Sequence, residues 1–146
     1  MTRGTRALQQ GFTLIEIMVV VVIIGLLAAV VTQQLMGNVD DARASKARQD
    51  IRALETALTL YKLDNYRYPS SEQGLSALVT RPADPALTHW KEGGYVKRLS
   101  KDPWGREYLY ESPGSHGEFD LYSLGADGQP GGEKADADVG NWNLDK

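Results

Sequence analysis

The residues with binding chemistry stand near the two ends of the chain. Towards the C-terminus Asp127, Glu133, Asp136 and Asp138 crowd a glycine-rich stretch. Carboxylates interleaved with free main-chain carbonyls are the oxygen donors that a hard divalent cation takes, and calcium, which accepts about six to eight oxygens in flexible geometry, suits such a loop. The acids lack the regular alternation of a helix-loop-helix calcium site, so on spacing alone the stretch reads equally as a solvated acidic tail. Towards the N-terminus Glu16 is a lone acid in an apolar run. A charge within a membrane-spanning segment costs on the order of 2.5 to 3.5 kcal/mol on insertion scales. Glu16 therefore asks for a partner, and the best one is an amine. Cutting the chain between Gly11 and Phe12 would create an amino group about one helical turn away, able to neutralise Glu16 in the same chain or in a neighbouring copy.

Other chemistries are poorly served. The chain has no cysteine, which excludes disulfides, thiolate metal sites and a cysteine nucleophile together, and its 2 histidines, His89 and His116, stand far apart in sequence. With a formal net charge of −3 and cations scattered along the chain, there is no basic stripe for a phosphate backbone, so nucleic acid is not an expected partner. No catalytic constellation is visible, and an enzyme is not expected. A chain of 146 residues holds one small domain, and small exported domains usually need a staple. Without cysteine, a bound metal is the staple to look for.

The elements that must carry these residues follow from patterning. Residues 1–11 hold Arg3 and Arg6 and no acid, as expected of a leader kept on the cytoplasmic side. Residues 12–31 read FTLIEIMVVVVIIGLLAAVV, which as a helix spans roughly 30 Å, the thickness of a bilayer's hydrocarbon core. Charge asymmetry then places residues 32–146 outside the cytoplasm. An ordinary secretory signal has a shorter apolar run and no acid within it, so Glu16 argues against that reading. The helix is expected to continue to about Leu63, because Leu35, Val39, Ala42, Ala47, Ile51, Leu54, Leu58 and Tyr61 recur mostly at steps of three or four. Asp64, Asn65 and Pro69 should end it. A short second helix is expected from Ser70, capped with Gln73, and an irregular connection from Pro82 to Ser100. The Asp102-Pro103-Trp104-Gly105 turn should lead into a strand at 106–110 and, after the 112–115 reversal, a second at 118–124. Trp90, Trp104 and Trp142 are expected to pack against the core.

The run Gly11-Phe12-Thr13-Leu14-Ile15-Glu16 after a short basic leader resembles the type IV prepilin signal shared by type IV pilins and pseudopilins. The resemblance implies that prepilin peptidase cleaves after Gly11 and methylates Phe12, and that Glu16 sets subunit register against the amine of an adjoining subunit. Tyr68-Pro69, Gln73-Gly74-Leu75, Asp102-Pro103-Trp104-Gly105, residues 120–128 and Asp138-Val139-Gly140-Asn141-Trp142 are similar to the major pseudopilins of type II secretion. That family implies an α+β, pilin-like fold: a long N-terminal helix, membrane-spanning in its first half, packed on a short helix and a small antiparallel sheet, with a metal-binding C-terminal loop. It further implies Ca2+ held by Asp127 and Asp138 through carboxylates and by Leu124 and Val139 through carbonyls. Asp136 is a departure, since Ala137 separates it from Asp138 where the family has adjacent acids.

The implied role is a homo-polymer, the periplasmic pseudopilus, that helps drive folded proteins through an outer-membrane secretin. The implied partners are other copies of itself, minor pseudopilins, the inner-membrane assembly platform and prepilin peptidase. The rivals are a type IV major pilin, which commonly closes its C-terminal region with a disulfide, a minor pseudopilin, and a membrane-anchored periplasmic binding module with an uncut N-terminus.

Overall fold

The computed structural model describes residues 11–145. The expected leader, apart from Gly11, lies outside the described residues, as do the side chains of residues 32–36, Leu35 among them. The first helix, α1, covers Leu14–Asn65. A reciprocal cap opens it: Thr13 Oγ1 accepts the Glu16 amide at 3.3 Å while Glu16 Oε2 accepts the Thr13 amide at 3.4 Å, the arrangement that satisfies two amides left free at a helix start. It stops where the turn formers stand. Asn65 Nδ2 donates to the Tyr61 carbonyl at 3.0 Å, and Tyr66 turns to a φ of 62°, beyond which Pro69 forbids an easy return to helix.

Contacts divide the chain into two units, Met1–Asn38 and Val39–Lys146. In the first, Leu14–Val31 forms an 18-residue window of mean hydropathy 3.1 with none of its residues buried. By length and composition it can cross a membrane. In the second, α1 buries Ala47, Ile51, Leu54, Ala57, Leu58 and Tyr61, the face that the sequence periodicity marks. Val39 and Ala42 belong to that face by spacing but are exposed, because the covering layer of this chain begins only at Ala47.

The cover consists of Leu75, Leu78, Leu87, Tyr108, Phe119, Leu121 and Val139. Fully burying one aliphatic side chain of this size is worth about 1.5–3 kcal/mol, so this shared core is what holds the sheet and loops to the helix. The expected second helix is reduced to a 3-10 turn, Leu75–Leu78. The cap foreseen at Ser70 does form, with the Gln73 amide donating to Ser70 Oγ at 3.2 Å and the Ser70 amide to Gln73 Oε1 at 3.0 Å. Gly74, at φ 58° and ψ −166°, then leaves the helical path, a conformation open to glycine at little cost.

Three strands, β1 Leu109–Glu111, β2 Asp120–Ser123 and β3 Val139–Gly140, pair antiparallel in the order β1-β2-β3. Tyr110 faces Leu121 and Ser123 faces Val139 in the register. β1 starts later than the alternating pattern predicts because Asp102 Oδ1 captures the amides of Trp104 and Arg106, holding residues 102–106 in a turn. β3 is too short to leave a sequence signal. Asn141 lengthens it by proxy: its amide donates to the Leu121 carbonyl at 3.0 Å, its Oδ1 accepts the Leu121 amide at 3.0 Å, and its Nδ2 donates to the Phe119 carbonyl at 3.1 Å. The connection from Pro82 to Ser100 contains no helix or strand. Trp90 and Trp104 pack against the core, Trp90 donating to the Ala77 carbonyl at 2.9 Å.

Candidate metal centre and processing site

The residues 124–140 fold back on β2 through close backbone approaches. Gly125, at φ 63°, lies so near the carbonyls of Asp136 and Ala137 that a Cβ there would come within 2.7 Å of both. The Ala126 amide donates to the Ala135 carbonyl at 2.9 Å and the Gly128 amide to the Leu124 carbonyl at 3.2 Å. The Asp138 amide donates to the Gly131 carbonyl at 3.1 Å, and Asp138 Oδ2 accepts the Gly131 amide at 2.8 Å. The loop is therefore closed at both ends by its own backbone, with Asp138 at the junction.

Asp138 Oδ1 is buried and accepts no hydrogen bond. A carboxylate oxygen withdrawn from water without a donor is costly unless a cation meets it, so a cation would fit at this atom. Leu124 and Asp138 line one cleft, of about 340 Å³, together with Glu111, Asp120, Tyr122 and Trp142. Its field is negative. Burial first, then Glu111, Asp138 and Asp120, push the Tyr122 phenol above its ordinary value.

Asp127 is exposed and caps its own turn, Oδ1 accepting the Gln129 amide at 3.0 Å. The Asp136 side chain is also exposed, while the main chain of Asp136 is what Gly125 and Gly132 pack against. Val139 is buried in β3. Neither Asp127, Asp136 nor Val139 lines the cleft that holds Leu124 and Asp138. Among the described residues no group of three or more His, Asp or Glu side chains gathers as a metal cluster. A cation here would draw on two carboxylates at most and take its remaining oxygens from the main chain, a donor set calcium tolerates and transition metals do not favour. Of the five expected donors, Leu124 and Asp138 share the cleft, and Asp138 Oδ1 is the atom that a calcium ion would fit.

Beside the cleft Asp120, 3% exposed, accepts the amides of Ser115 at 2.9 Å and His116 at 3.0 Å and the His116 Nδ1 hydrogen at 2.8 Å. Burial pushes its carboxyl up, but the His116 ring and the two amides together outweigh burial and leave it below the ordinary carboxylate value. The His116 ring in turn stacks on Trp142, 4.0 Å between centroids and 11° between planes. Sequence reading missed this trio. The only signal was the i, i+4 spacing of His116 and Asp120, which the hairpin and not a helix brings together.

At the other end, Gly11 and Phe12 precede α1 in an exposed, irregular segment, Phe12 being 80% exposed. Scission between them meets no packed structure. Glu16 is exposed in the first turn of α1, its carboxylate meeting, among the described residues, the local Thr13 amide. The capping role of Thr13 is also one that sequence reading passed over, although Thr-x-x-Glu is a capping-box pattern.

Residues 34–142 match the family described as "Type II secretion system (T2SS), protein G", and residues 6–32 match the "Prokaryotic N-terminal methylation motif". The chain belongs to the type II secretion system protein G family. Its relatives include the type II secretion system core protein G of Vibrio cholerae, 58% identical over 136 residues that cover 93% of each chain. The core protein G of Pseudomonas aeruginosa is 56% identical over 139 residues, covering 94% of this chain and 98% of its own. Among solved structures, the major pseudopilin from the type 2 secretion system of enterohaemorrhagic Escherichia coli is similar with a TM-score of 0.65 and 46% identity, over 74% of this chain and 93% of that one. Membership fixes the protein G fold as pilin-like α+β and the role as that of a major pseudopilin, and it sets aside the type IV pilin and the anchored binding module as readings of this chain.

Proposed function

We propose that this protein G subunit is made as a precursor, cut after Gly11 by prepilin peptidase, methylated on Phe12, and polymerised into the periplasmic pseudopilus through its apolar N-terminal helix. The observation that carries the proposal is the Leu14–Val31 span, wholly unburied in the single chain and headed by the exposed Gly11-Phe12 bond and Glu16. Before assembly the bilayer covers that surface, with the subunit held in the inner membrane and residues 32–146 in the periplasm. After assembly the same segments of neighbouring copies cover it, so the fibre forms without exposing apolar area to water.

Glu16 has a second part in this scheme. Its partner among the described residues is the Thr13 amide, and a charged amine of an adjoining copy is a stronger one at membrane depth. Exchange of the first for the second would reward one axial register and penalise the others. Minor pseudopilins and the inner-membrane assembly platform are the further partners. Calcium, with Asp138 and Asp127 as carboxylate donors, Leu124 and Val139 as carbonyl donors and Asp136 at the margin, would cross-link the C-terminal loop to β2 and β3 in place of a disulfide. The subunit acts as a building block, and the buried side chains described above have packing to do in that role.

The deciding experiment is mass and N-terminal sequence of the membrane-extracted protein, with and without active prepilin peptidase. N-methylated Phe12 appearing only with the peptidase supports the proposal. An intact Met1 in its presence, or a cut near Ala29, refutes it.

A further inference from the structure

The Asp102-Pro103-Trp104-Gly105-Arg106 turn grips the chain on both sides of Leu124. Asp102, 5% exposed, accepts the Trp104 amide at 3.0 Å and the Arg106 amide at 2.8 Å through Oδ1, and the Ser123 hydroxyl at 2.5 Å through Oδ2. The Asp102 amide returns to the Arg106 carbonyl at 2.7 Å, which closes the turn on itself. Arg106 Nη2 donates to the Gly125 carbonyl. Its guanidinium packs so closely on Gly128 that a Cβ there would stand 3.0 Å from Cζ and Nη1. Two side chains of one five-residue turn thus hold residues 123 and 125, and a planar cation fills the inside of the 124–128 bend.

We propose that Arg106, seated by Asp102, is the positioning residue of the calcium loop: it holds residues 124–128 in the shape that receives the ion before any ion arrives. This rests on the calcium reading above. A loop that must order itself as the metal binds loses affinity to that ordering, whereas outer partners that fix the ligands typically raise metal affinity 10 to 100-fold. A guanidinium beside a cation site also repels the ion. The two effects have opposite signs, so removing Arg106 tells them apart: weaker calcium binding follows from lost positioning, tighter binding from lost repulsion. The observed contacts favour positioning, because the charge is directed at a carbonyl of the bend and against glycine.

The test uses the processed full chain in detergent, as the parent and as R106M and R106K. Hydrogen exchange of the 124–128 amides is followed in a chelator, and calcium affinity by titration calorimetry with calcium chloride. In R106M these amides should exchange about tenfold faster, with those of α1 around Ile51 to Tyr61 unchanged, and calcium binding should weaken roughly tenfold. R106K, which keeps the charge but loses the planar fork that fills the bend, should fall between the parent and R106M in both readouts. Unchanged exchange at 124–128 in R106M, or calcium binding as tight as the parent or tighter, overturns the proposal. Should R106M lose protection throughout α1, R106K decides by the same exchange readout, and exchange at 124–128 equal to the parent's overturns the proposal. A parent that takes up no calcium refutes the calcium reading, and faster exchange in R106M would then still establish the brace.

Discussion

Replacing Asp120 by Asn tests the buried carboxylate beside the cleft. Asp120 accepts two amides and the His116 ring through both of its oxygens, and Asn keeps the shape but removes the charge and turns one accepting oxygen into an NH2 donor. Hydrogen bonds to an ionised acceptor are roughly twice as strong as neutral ones, and each contributes about 1.5–3 kcal/mol net. Losing the charge and one of the two accepting oxygens, with some relaxation, should cost about 2 kcal/mol. At about 4–8 °C per kcal/mol for a unit of this size, the Tm should fall by roughly 10 °C. The acid dependence carries the sign. A carboxyl held below its ordinary value in the folded chain favours folding when ionised, so its contribution is complete above about pH 4 and is lost as pH falls through the folded value. The parent should therefore lose more Tm on acidification below pH ~4 than D120N does. Near-UV circular dichroism melts of the full chain in detergent read this, with Trp142 over His116 as the local reporter. A D120N Tm within about 3 °C of the parent at neutral pH, or equal acid losses in the two proteins, would refute the reasoning.

The Leu58 side chain is fully buried, and L58A should destabilise by about 2–5 kcal/mol, measured by denaturant melts. Calcium at about a hundred times its Kd should stabilise the folded chain by about 2.7 kcal/mol. D138N should abolish that gain, because it removes the anionic oxygen that has no other partner; a full gain in D138N would locate any bound ion elsewhere. E16Q should be processed normally yet polymerise poorly, scored by electron microscopy and cross-linking of sheared fibres, and normal fibre yield would remove Glu16 from the assembly scheme.

The N-terminal half was legible because its information is local. Periodicity of apolar residues named the buried face of α1 from Ala47 to Tyr61, and Asp64, Asn65 and Pro69 named its end. The sheet was half legible. Alternation announced β1 and β2, but Asp102 moved the start of β1, and no two-residue pattern could announce Val139–Gly140, whose pairing depends on Asn141 and on β2 already being in place. Gly74 carried the information that cut the second helix to one 3-10 turn, yet a glycine before apolar residues does not declare its φ. The acidic loop was legible as a composition but not as a geometry. Chain reversal at Gly125 and Gly131 decides that Leu124 and Asp138 share a cleft while Asp127 and Asp136 stand outside it, and spacing along the sequence contains no such ranking. The same holds for Arg106, whose reach across to Gly125 has no trace in its immediate neighbours.

The brevity of the strands has a consequence for a protein whose working concentration, within a fibre, is far above that of any solution. Unpaired backbone groups along a sheet edge are templates for adventitious strand addition, and packed copies would present them to one another continuously. Here the outer strands offer three residues at Leu109–Glu111 and two at Val139–Gly140, one closed by the acid Glu111 and the other by the Asn141 turn. A neighbour finds too little edge to extend into a cross-β stack. Growth is left to the apolar helix, whose Leu14–Val31 surface is wholly unburied in the single chain.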